Sequence, residues 1–416
     1  MGASMDTEQP NTHKIFTRDF VNAFLAQFTF ASAFYTLIPT LPVFLSSLGR
    51  TESEIGVLIG ASSISSLLLR PLVGRALLRY PERTLALAGT LLFTVSTTAY
   101  LAARPFWPLL FVRILQGASL AIFFTAVTML VANTTPEGYR GRSLSYFFLA
   151  FNVAFAIAPS SGMILMNAFG FTFLFLVCTL LAIASHLFAS RLEKRGAPSP
   201  DAATEDGFFF SRKALPPSIL AFFIHVIYGS VTTFFPIYAV TQGVANPGWF
   251  FAAFAMMLIL GRTLGAKTLD LYSREKIILP CLSAFVIAMV ILAFSKTLPM
   301  FLLAAVIWGS GNAFLYPALV TFTLDLAGPS RAPALAFFSA LCDLGVGLGA
   351  VIMGVVLRFT SYRTMFLCLA LNALMAFCYY YFLVLKREKT ETQGRELGSD
   401  IEGKGNGTES GAKDGG

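Results

Sequence analysis

The sequence predicts an all-α membrane protein with twelve transmembrane helices, arranged as two pseudo-symmetric six-helix bundles. Of the 416 residues, 56% are hydrophobic and 12% are charged, whereas soluble domains carry about 25% charged residues. The apolar residues fall into twelve runs, most of them near the roughly 20 residues that a helix needs to cross a bilayer. One long polar stretch separates the first six runs from the last six. A water-soluble enzyme is therefore not expected.

The first apolar run follows a polar segment and is too long for the core of a signal peptide, so we expect it to remain as a span. The remaining runs are separated by short loops. The predicted spans are 17–48, 52–78, 84–103, 106–133, 141–168, 170–191, 215–242, 247–270, 276–295, 298–327, 331–358 and 362–386.

The distribution of basic residues predicts the orientation. Lys and Arg in short loops resist translocation and mark the cytoplasmic side. With the N-terminus inside, most basic residues of the loops fall on the inner side, and only a few fall outside. The outer ones are Arg50, Arg104, Lys296, Arg358 and Arg363. We therefore expect both termini in the cytoplasm and the protein in the cytoplasmic (inner) membrane.

An internal repeat supports the division into halves. Shifting the sequence by 192 aligns Arg70 with Arg262 and Gly117 with Gly309, as a duplicated six-helix unit would. The C-terminal tail has almost no large apolar residue and is expected to be disordered. The predicted parts are a cytoplasmic tail (1–16), a first bundle (17–191), a cytoplasmic linker (192–214), a second bundle (215–386) and a disordered cytoplasmic tail (387–416).

A basic, glycine-containing pattern joins spans two and three. Arg70-Pro71-Leu72-Val73-Gly74-Arg75 is followed by Arg79 and Arg83. With the twelve spans and the two related halves, this pattern resembles the major facilitator superfamily over residues 17–386. The resemblance implies a substrate site near the membrane midplane between the halves, and a clamp on the cytoplasmic side formed by this turn.

The turn departs from the family pattern in one respect. An acidic residue is usual four places after the glycine, and here Leu78 stands there. The second half has Asp270 at the equivalent place, so the acidic gating contact is expected there, with Arg262 as the counterpart of Arg70 in the same motif. A basic loop that serves topology alone explains Arg79 and Arg83 equally well.

Spans four and five carry two further patterns that resemble the family. In span four, Arg113 with Gln116 and Gly117 is similar to a pattern in which a buried arginine is linked to proton movement; a tether to backbone carbonyls is the alternative. In span five, Ala154-x-x-x-Ala158-Pro159-x-x-Gly162 resembles the antiporter motif of drug:proton exporters, with alanines in place of two glycines. An ordinary kinked packing helix is the alternative for Pro159 and Gly162.

Asp343 is the main candidate for proton coupling. It lies about 18 Å from the inner end of span eleven at ~1.5 Å per residue, where an ionised carboxylate is costly unless it is paired. Its counterpart in the first half is Asn152, which cannot titrate. Asp19 and His225 are further candidates, although a helix-end charge and a hydrogen-bonded core histidine are the respective alternatives.

Polar and aromatic residues on the inner spans are candidates for the substrate cavity. The resemblance points to spans one, four, seven and ten as its main lining. Phenylalanine-rich walls with few charges favour amphipathic solutes, cationic or neutral. The candidates are Gln27, Tyr35, Gln116, Asn152, Tyr228, Asn312 and Tyr316.

These observations predict a secondary active transporter, in particular a proton-coupled exporter that alternates access around a central site. No nucleotide-binding loop, metal-ligand cluster or catalytic motif is present in the sequence, so the proton gradient is the expected energy source and no cofactor or metal is expected. A monomer is expected, with a small-molecule substrate, protons and lipids as partners and no nucleic acid. A proton-coupled importer, a non-transporting receptor or scaffold and a lipid flippase remain alternatives.

Overall fold

The computed structural model describes residues 16–135, 140–193, 214–264, 272–327 and 331–385, and all secondary structure in these ranges is helical. The helices are α1 (Arg18–Ser47), α2 (Glu52–Leu77), α3 (Glu82–Ala99), α4 (Phe106–Thr134), α5 (Arg140–Ser190), α6 (Leu215–Thr241), α7 (Gly248–Leu264), α8 (Arg274–Phe294), α9 (Leu298–Ala327), α10 (Arg331–Phe359) and α11 (Tyr362–Cys378). A π-helical segment, Tyr379–Leu385, continues α11. The predicted C-terminal tail and most of the predicted linker and N-terminal tail lie outside the described residues.

Polar caps set the starts of several helices. Thr17 accepts a hydrogen bond from the backbone N–H of Phe20 at 3.1 Å at the start of α1. Thr51 and Glu54 form a reciprocal capping box at the start of α2, which satisfies two backbone donors that would otherwise lack partners. Ser361 caps α11 in the same way as Thr17 caps α1, whereas α3, α4, α6 and α8 begin without a side-chain cap.

Helix α5 is broken at Gly170, where φ is 79°. Glycine adopts this left-handed conformation without the steric cost that a Cβ imposes. The break divides α5 into limbs 140–169 and 171–190, which correspond to predicted spans five and six. The described helices therefore comprise twelve segments in the predicted order.

Nine helical stretches in the described ranges are long and apolar enough to cross a membrane, with both limbs of α5 falling in one stretch. The shorter helices α3 and α7, of 18 and 17 residues, complete the set. The predicted all-α membrane class is confirmed, while the count of twelve spans remains a prediction.

The helices pack as two groups, α1 to α5 and α6 to α11, which we call the first and second halves. Within the first half, α1 packs on α5, and α4 packs on α2 and α3. Within the second half, α6 packs on α10, and α8 packs on α9 and α11. Two helix pairs, α2 with α10 and α5 with α7, make most of the contact between the halves.

Both inter-half seams lie toward one end of the molecule, which carries the α1–α2 loop and which we call the 48–51 end. Along the first seam, a Cβ added to Gly60 would lie 2.6 Å from the carbonyl oxygen of Gly347. In the second seam, the Ser160 hydroxyl donates to the carbonyl oxygen of Gly248 at 2.7 Å. Glycine lets these backbones approach closely, as in other packed membrane helices.

Gly60→Val is expected to open the 48–51 end. The added methyl groups would enter space held by the Gly347 carbonyl and by Val351, whose Cγ2 is only 2.8 Å from a Cβ built at Gly60. The measurement is the labelling rate of a cysteine at Leu41 by a membrane-impermeant thiol reagent, in a background without the native cysteines. We expect a several-fold faster rate; an unchanged rate would contradict the role of this seam in closure.

Candidate substrate cavity

A cavity of about 290 Å³ lies between the halves, with walls from α1, α2, α4, α5, α6 and α10. Its volume is at the small end of the range for ligand sites, about 300–1,000 Å³. Most of the wall is apolar or aromatic. Three charged side chains, Arg70, Arg113 and Asp343, interrupt it. The residues that line it are Phe34, Tyr35, Leu37, Ile38, Leu41, Ile59, Ser62, Ser63, Arg70, Arg113, Leu120, Phe124, Phe151, His225, Tyr228, Thr232, Asp343 and Val346.

An ion pair in this wall joins the two halves. Arg70 on α2 approaches Asp343 on α10, with 2.7 Å between Nε and Oδ2. The side chains are 28% and 23% exposed, respectively. Both groups therefore face the cavity rather than bulk water, so their attraction is screened less than that of a surface pair. A change in the charge of either group would alter the contact between the halves.

The pair leaves part of each charged group unused. Among the described residues, no hydrogen bond reaches either Nη atom of Arg70 or the Oδ1 atom of Asp343. The close contact of Nε with Oδ2 is an ion pair whose geometry is not that of a hydrogen bond. A guanidinium carries five N–H donors and a carboxylate accepts several hydrogen bonds. The wall thus presents both an anion-binding and a cation-binding group to whatever occupies the cavity.

Arg113 has a different environment, formed by neutral acceptors. Its Nε donates to the carbonyl oxygen of Leu58 at 2.9 Å, and Nη2 donates to the carbonyl oxygen of Ile59 at 3.0 Å. Further hydrogen bonds join it to the Ser62 hydroxyl and to Gln116 Oε1. These contacts tie α4 to α2, as the tether alternative expects. Arg113 also lines the cavity, so it adds a positive charge to the wall.

Arg113→Lys is expected to lower the stability of the folded protein by about 2–3 kcal/mol. Lysine keeps the positive charge but cannot present the planar fork that reaches two carbonyls and two side chains, and buried acceptors left without donors are costly. Thermal unfolding in detergent micelles measures the effect. Arg79→Lys is the control, because Arg79 is exposed after the end of α2. Equal melting temperatures for both variants would contradict the tether.

The opposite wall carries His225 and Tyr228 on α6. The Nδ1 atom of His225 lies 2.7 Å from the carbonyl oxygen of Ala221, so Nδ1 is the donor and carries the proton. In the neutral ring, Nε2 is then an acceptor. The ring centroid of His225 lies 6.4 Å from that of Tyr228 and 6.0 Å from that of Tyr316.

Comparison with known proteins places the chain in a family. The family model of the Major Facilitator Superfamily matches residues 23–257 and 244–405. The chain belongs to that superfamily. Its members are transporters rather than enzymes, so this protein is a multi-pass membrane transporter.

Two curated relatives of this facilitator superfamily protein carry names that refer to export or drug resistance. The staphylopine export protein of Staphylococcus aureus (strain Mu50 / ATCC 700699) is 26% identical over 372 residues, which cover 84% of this chain and 91% of the relative. The quinolone resistance protein NorA of Staphylococcus aureus (strain MRSA252) is 29% identical over 126 residues. That second match covers 30% of this chain and 32% of NorA.

Solved structures share the facilitator fold at low identity. The nucleoside transporter NupG superposes with a TM-score of 0.73 at 13% identity, covering 87% of this chain and 99% of NupG. The human organic anion transporter MFSD10 (TETRAN) gives a TM-score of 0.65 at 17% identity, covering 89% and 100%. A bacterial homologue of the human lysosomal transporter Spinster gives 0.70 at 14% identity, covering 89% and 96%.

The facilitator cavity contains some of the predicted site residues and not others. Tyr35 and Tyr228 were expected in the wall and lie there, with Asp343, Arg113 and His225. The other predicted cavity residues, Gln27, Gln116, Asn152, Asn312 and Tyr316, do not contribute to it. Gln116 instead accepts hydrogen bonds from Arg113 and from the Tyr100 hydroxyl. Gln27 is buried in α1, at 1% exposure.

The helices that line this cavity differ in part from the expected set. The resemblance pointed to spans one, four, seven and ten, but span ten (α9) does not line the cavity, whereas α2 and α10 do. The physical reason is the glycine-rich seam between α2 and α10, which brings both helices to the centre. Arg70, expected as part of the cytoplasmic clamp, lies inside α2, within predicted span two, and lines the cavity.

The remaining residues of the basic turn do not line the cavity. Gly74 is exposed, and a Cβ there would meet no atom within 4 Å. Arg83 ties α3 to α5 by donating from Nη2 to the Ser190 carbonyl oxygen at 2.7 Å. The expected contact at Asp270 lies outside the described residues, as does the side chain of Arg262.

Two other expectations concern packing and a helix end. In α5, Gly162 packs on Thr36 of α1, where an added Cβ would lie 2.8 Å from Cγ2. The helix continues through Pro159, and its φ and ψ angles leave the helical range at Gly170, between predicted spans five and six. Asp19 lies at the start of α1, where Oδ1 accepts from the backbone N–H of Glu193 at 3.1 Å. Asp19 is therefore remote from the cavity wall.

Sequence reasoning missed the serines and threonine that line the cavity. Ser62 and Ser63 on α2 and Thr232 on α6 face it, but hydroxyl groups are common in membrane helices, where they often bond to their own backbone. Arg70 lies seven residues before the end of α2, or about 10 Å along the helix. This depth inside an apolar run was a usable signal that Arg70 is not a loop residue. Among the described residues, no group of three or more His, Cys, Asp and Glu could hold a metal ion.

Proposed function

We propose that this transporter is a proton-coupled exporter of small amphipathic molecules that works by alternating access. The observation that carries the proposal is the Arg70–Asp343 ion pair, which spans the two halves inside the cavity wall. Ionised Asp343 attracts Arg70 and favours the contact between α2 and α10. A proton on Asp343 removes that attraction, so proton binding and the arrangement of the halves are coupled.

The packing of the halves supports a direction of access. Among the described residues, the hydrogen bonds between the halves lie toward the 48–51 end, where the Ser53 hydroxyl donates to the Gly354 carbonyl oxygen at 3.2 Å and the Asn167 amide donates to the Ala245 carbonyl oxygen. If both termini lie in the cytoplasm, this end faces outward. The described arrangement then corresponds to a conformation closed to the outside, in which Asp343 exchanges its proton with the cytoplasm.

The cavity wall supports an amphipathic substrate. Aromatic rings from three helices meet in it, with 4.8 Å between the ring centroids of Tyr35 and Phe151 and 6.0 Å between those of Phe124 and Phe151. The names of the relatives favour export: one is an export protein for staphylopine and the other a quinolone resistance protein. Staphylopine and a quinolone are therefore suitable first probes.

The accompanying expectations belong to the same proposal. We place the protein in a cytoplasmic membrane with both termini inside, in contact with lipid along its exposed apolar side chains. One chain provides the whole cavity, so a monomer suffices for transport. The proton gradient supplies the energy, without a bound cofactor.

The test is a comparison of small molecules in cells and medium for strains that make wild-type protein, Asp343→Asn or Asp325→Asn. Asp325→Asn is the matched control, because Asp325 is half exposed and pairs with Arg274 near the end of α9, outside the cavity. We expect a solute that is enriched in the medium with wild type and Asp325→Asn, and not with Asp343→Asn. The enrichment should collapse when a protonophore is added.

Other outcomes of this comparison decide against the proposal. Full export by Asp343→Asn would remove Asp343 from the coupling mechanism. A solute that accumulates in the cells with wild type would establish uptake instead. Uptake is the second candidate function, and the excess of guanidinium over carboxylate groups in the wall favours it, because an anion could then enter together with a proton.

A further inference from the structure

We propose that the cavity recognises an amino-acid head group, with an ammonium and a carboxylate a few bonds apart, attached to an apolar body. This inference rests on the proposed transport function and names its substrate class. The observation behind it is the incomplete pairing of Arg70 with Asp343, which presents two opposite charges side by side in one wall.

The anion-binding part of the site is Arg70. Its Nε atom lies 2.7 Å from Oδ2 of Asp343. The two Nη atoms, which have no partner among the described residues, form the fork that binds a carboxylate through two parallel hydrogen bonds. Arg113 cannot offer the same fork, because most of its donors are engaged with α2 and Gln116.

The cation-binding part is Asp343. Its Oδ1 atom has no partner among the described residues, and its Oδ2 atom lies against Arg70. An ammonium at Oδ1 and a carboxylate at the Arg70 fork would close a four-group ring of alternating charges. Because Arg70 and Asp343 are in direct contact, the two ligand charges must also lie close together, as in an amino acid.

Single-charge ligands fit this wall less well. A simple cation would approach a cavity in which the guanidinium groups of Arg70 and Arg113 outnumber the Asp343 carboxylate. A simple anion would compete with Asp343 for Arg70 and leave Oδ1 unused. The neutral members of the wall, including His225, Tyr35 and Tyr228, supply hydrogen bonds and aromatic surface for the ligand body.

The arrangement also favours exchange of substrate for protons over transport of both in the same direction. A protonated Asp343 cannot hold an ammonium by charge attraction, so the proton and the ligand ammonium exclude each other at one carboxylate. Mutual exclusion of this kind is what antiport requires. The charged and titratable groups around the site are Arg70, Arg113, His225, Tyr35, Tyr228 and the buried thiol of Cys342.

The test measures binding of three matched probes to the purified full-length protein by titration calorimetry. The probes are O-benzyltyrosine, its methyl ester, which is a cation, and its N-acetyl derivative, which is an anion. We expect the amino acid to bind about tenfold more tightly than either derivative, since each lost charge-assisted contact is worth at least that factor. An ester or an N-acetyl derivative that binds as tightly as the amino acid overturns the inference, as does absence of saturable binding of the amino acid.

Two variants assign the charges. In Arg70→Gln the advantage of the amino acid over the ester should disappear, and in Asp343→Asn its advantage over the N-acetyl derivative should disappear. Asp325→Asn should keep both preferences. The reverse assignment, or preferences that survive both cavity substitutions, would place the head group elsewhere.

The result is separable from that of the proposed function. Preferential binding of the amino acid without any Asp343-dependent solute movement in the cell and medium comparison would support the head-group site and overturn export. Asp343-dependent export together with equal binding of the three probes would support the transporter and overturn the head-group inference.

Discussion

Replacing one partner of the Arg70–Asp343 pair is expected to destabilise the protein more than replacing both. Arg70→Gln leaves a carboxylate and Asp343→Asn leaves a guanidinium without its counter-charge in a membrane interior. Removing one member of a fully buried pair costs about 3–5 kcal/mol. Because these side chains remain about a quarter exposed to the cavity, we expect about 2 kcal/mol for each single substitution. The double variant should recover most of this loss.

Unfolding of the four proteins in detergent micelles measures this coupling as a double-mutant cycle. The pair between Arg274 and Asp325 provides the control, with 2.6 Å between Nη2 and Oδ2 and side chains 31% and 53% exposed. Arg274 and Asp325 lie closer to solvent, so the coupling free energy from the cycle of this control pair should be at most about 1 kcal/mol. Additive losses at Arg70 and Asp343 would show that the two groups do not interact in the folded protein.

Of the glycine-to-alanine substitutions in the first half, Gly117→Ala is expected to lower the stability of the folded protein the most. A Cβ at Gly117 would run into the Ser62 carbonyl oxygen and lie 2.8 and 2.9 Å from the carbonyl carbon and Cα of Ser62. All three are backbone atoms of α2, so α2 and α4 must separate. Separation would also disturb Arg113, which donates to Ser62 and to two α2 carbonyls. We expect a loss of about 2–3 kcal/mol, as in overpacked cores.

Gly74→Ala is the matched control for this prediction. Gly74 lies in the same half, near the end of α2, and an added Cβ there has no atom within 4 Å. Because alanine is the better helix former, Gly74→Ala should be neutral or stabilise the protein by up to about 1 kcal/mol. Melting temperatures in detergent report both changes. A Gly117→Ala protein as stable as wild type would contradict the close α2–α4 contact.

The predictability of the site differed from residue to residue. Asp343 and Arg113 stand out in the sequence because a charge in an apolar run is costly and needs a partner or a cavity, and both line the cavity described here. The partner of Asp343 was not found, because no property of the sequence says which of several arginines lies 2.7 Å away. Asn152, the repeat counterpart of Asp343, does not line the cavity. Sequence symmetry between the halves therefore does not extend to their contribution to the wall.

Some of the cavity candidates chosen by residue type line this cavity and others do not. Tyr35 and Tyr228 line the wall, whereas Asn312 and Tyr316 do not. The side of a helix that faces the centre depends on how its neighbours pack, and the glycine seam between α2 and α10 decides this for the second half. A glycine in an apolar run predicts a close contact, but it does not name the partner helix.

The sequence by itself determined the helical membrane class, the order of the helical segments and the superfamily. These properties depend on local quantities, namely the length and polarity of each run and the residues that cap or break it. Only the tertiary structure decided which helices enclose the cavity and that Arg70 of one half meets Asp343 of the other. Such contacts join residues more than 250 positions apart, and their energies depend on distance and exposure, which arise only when the two halves pack together.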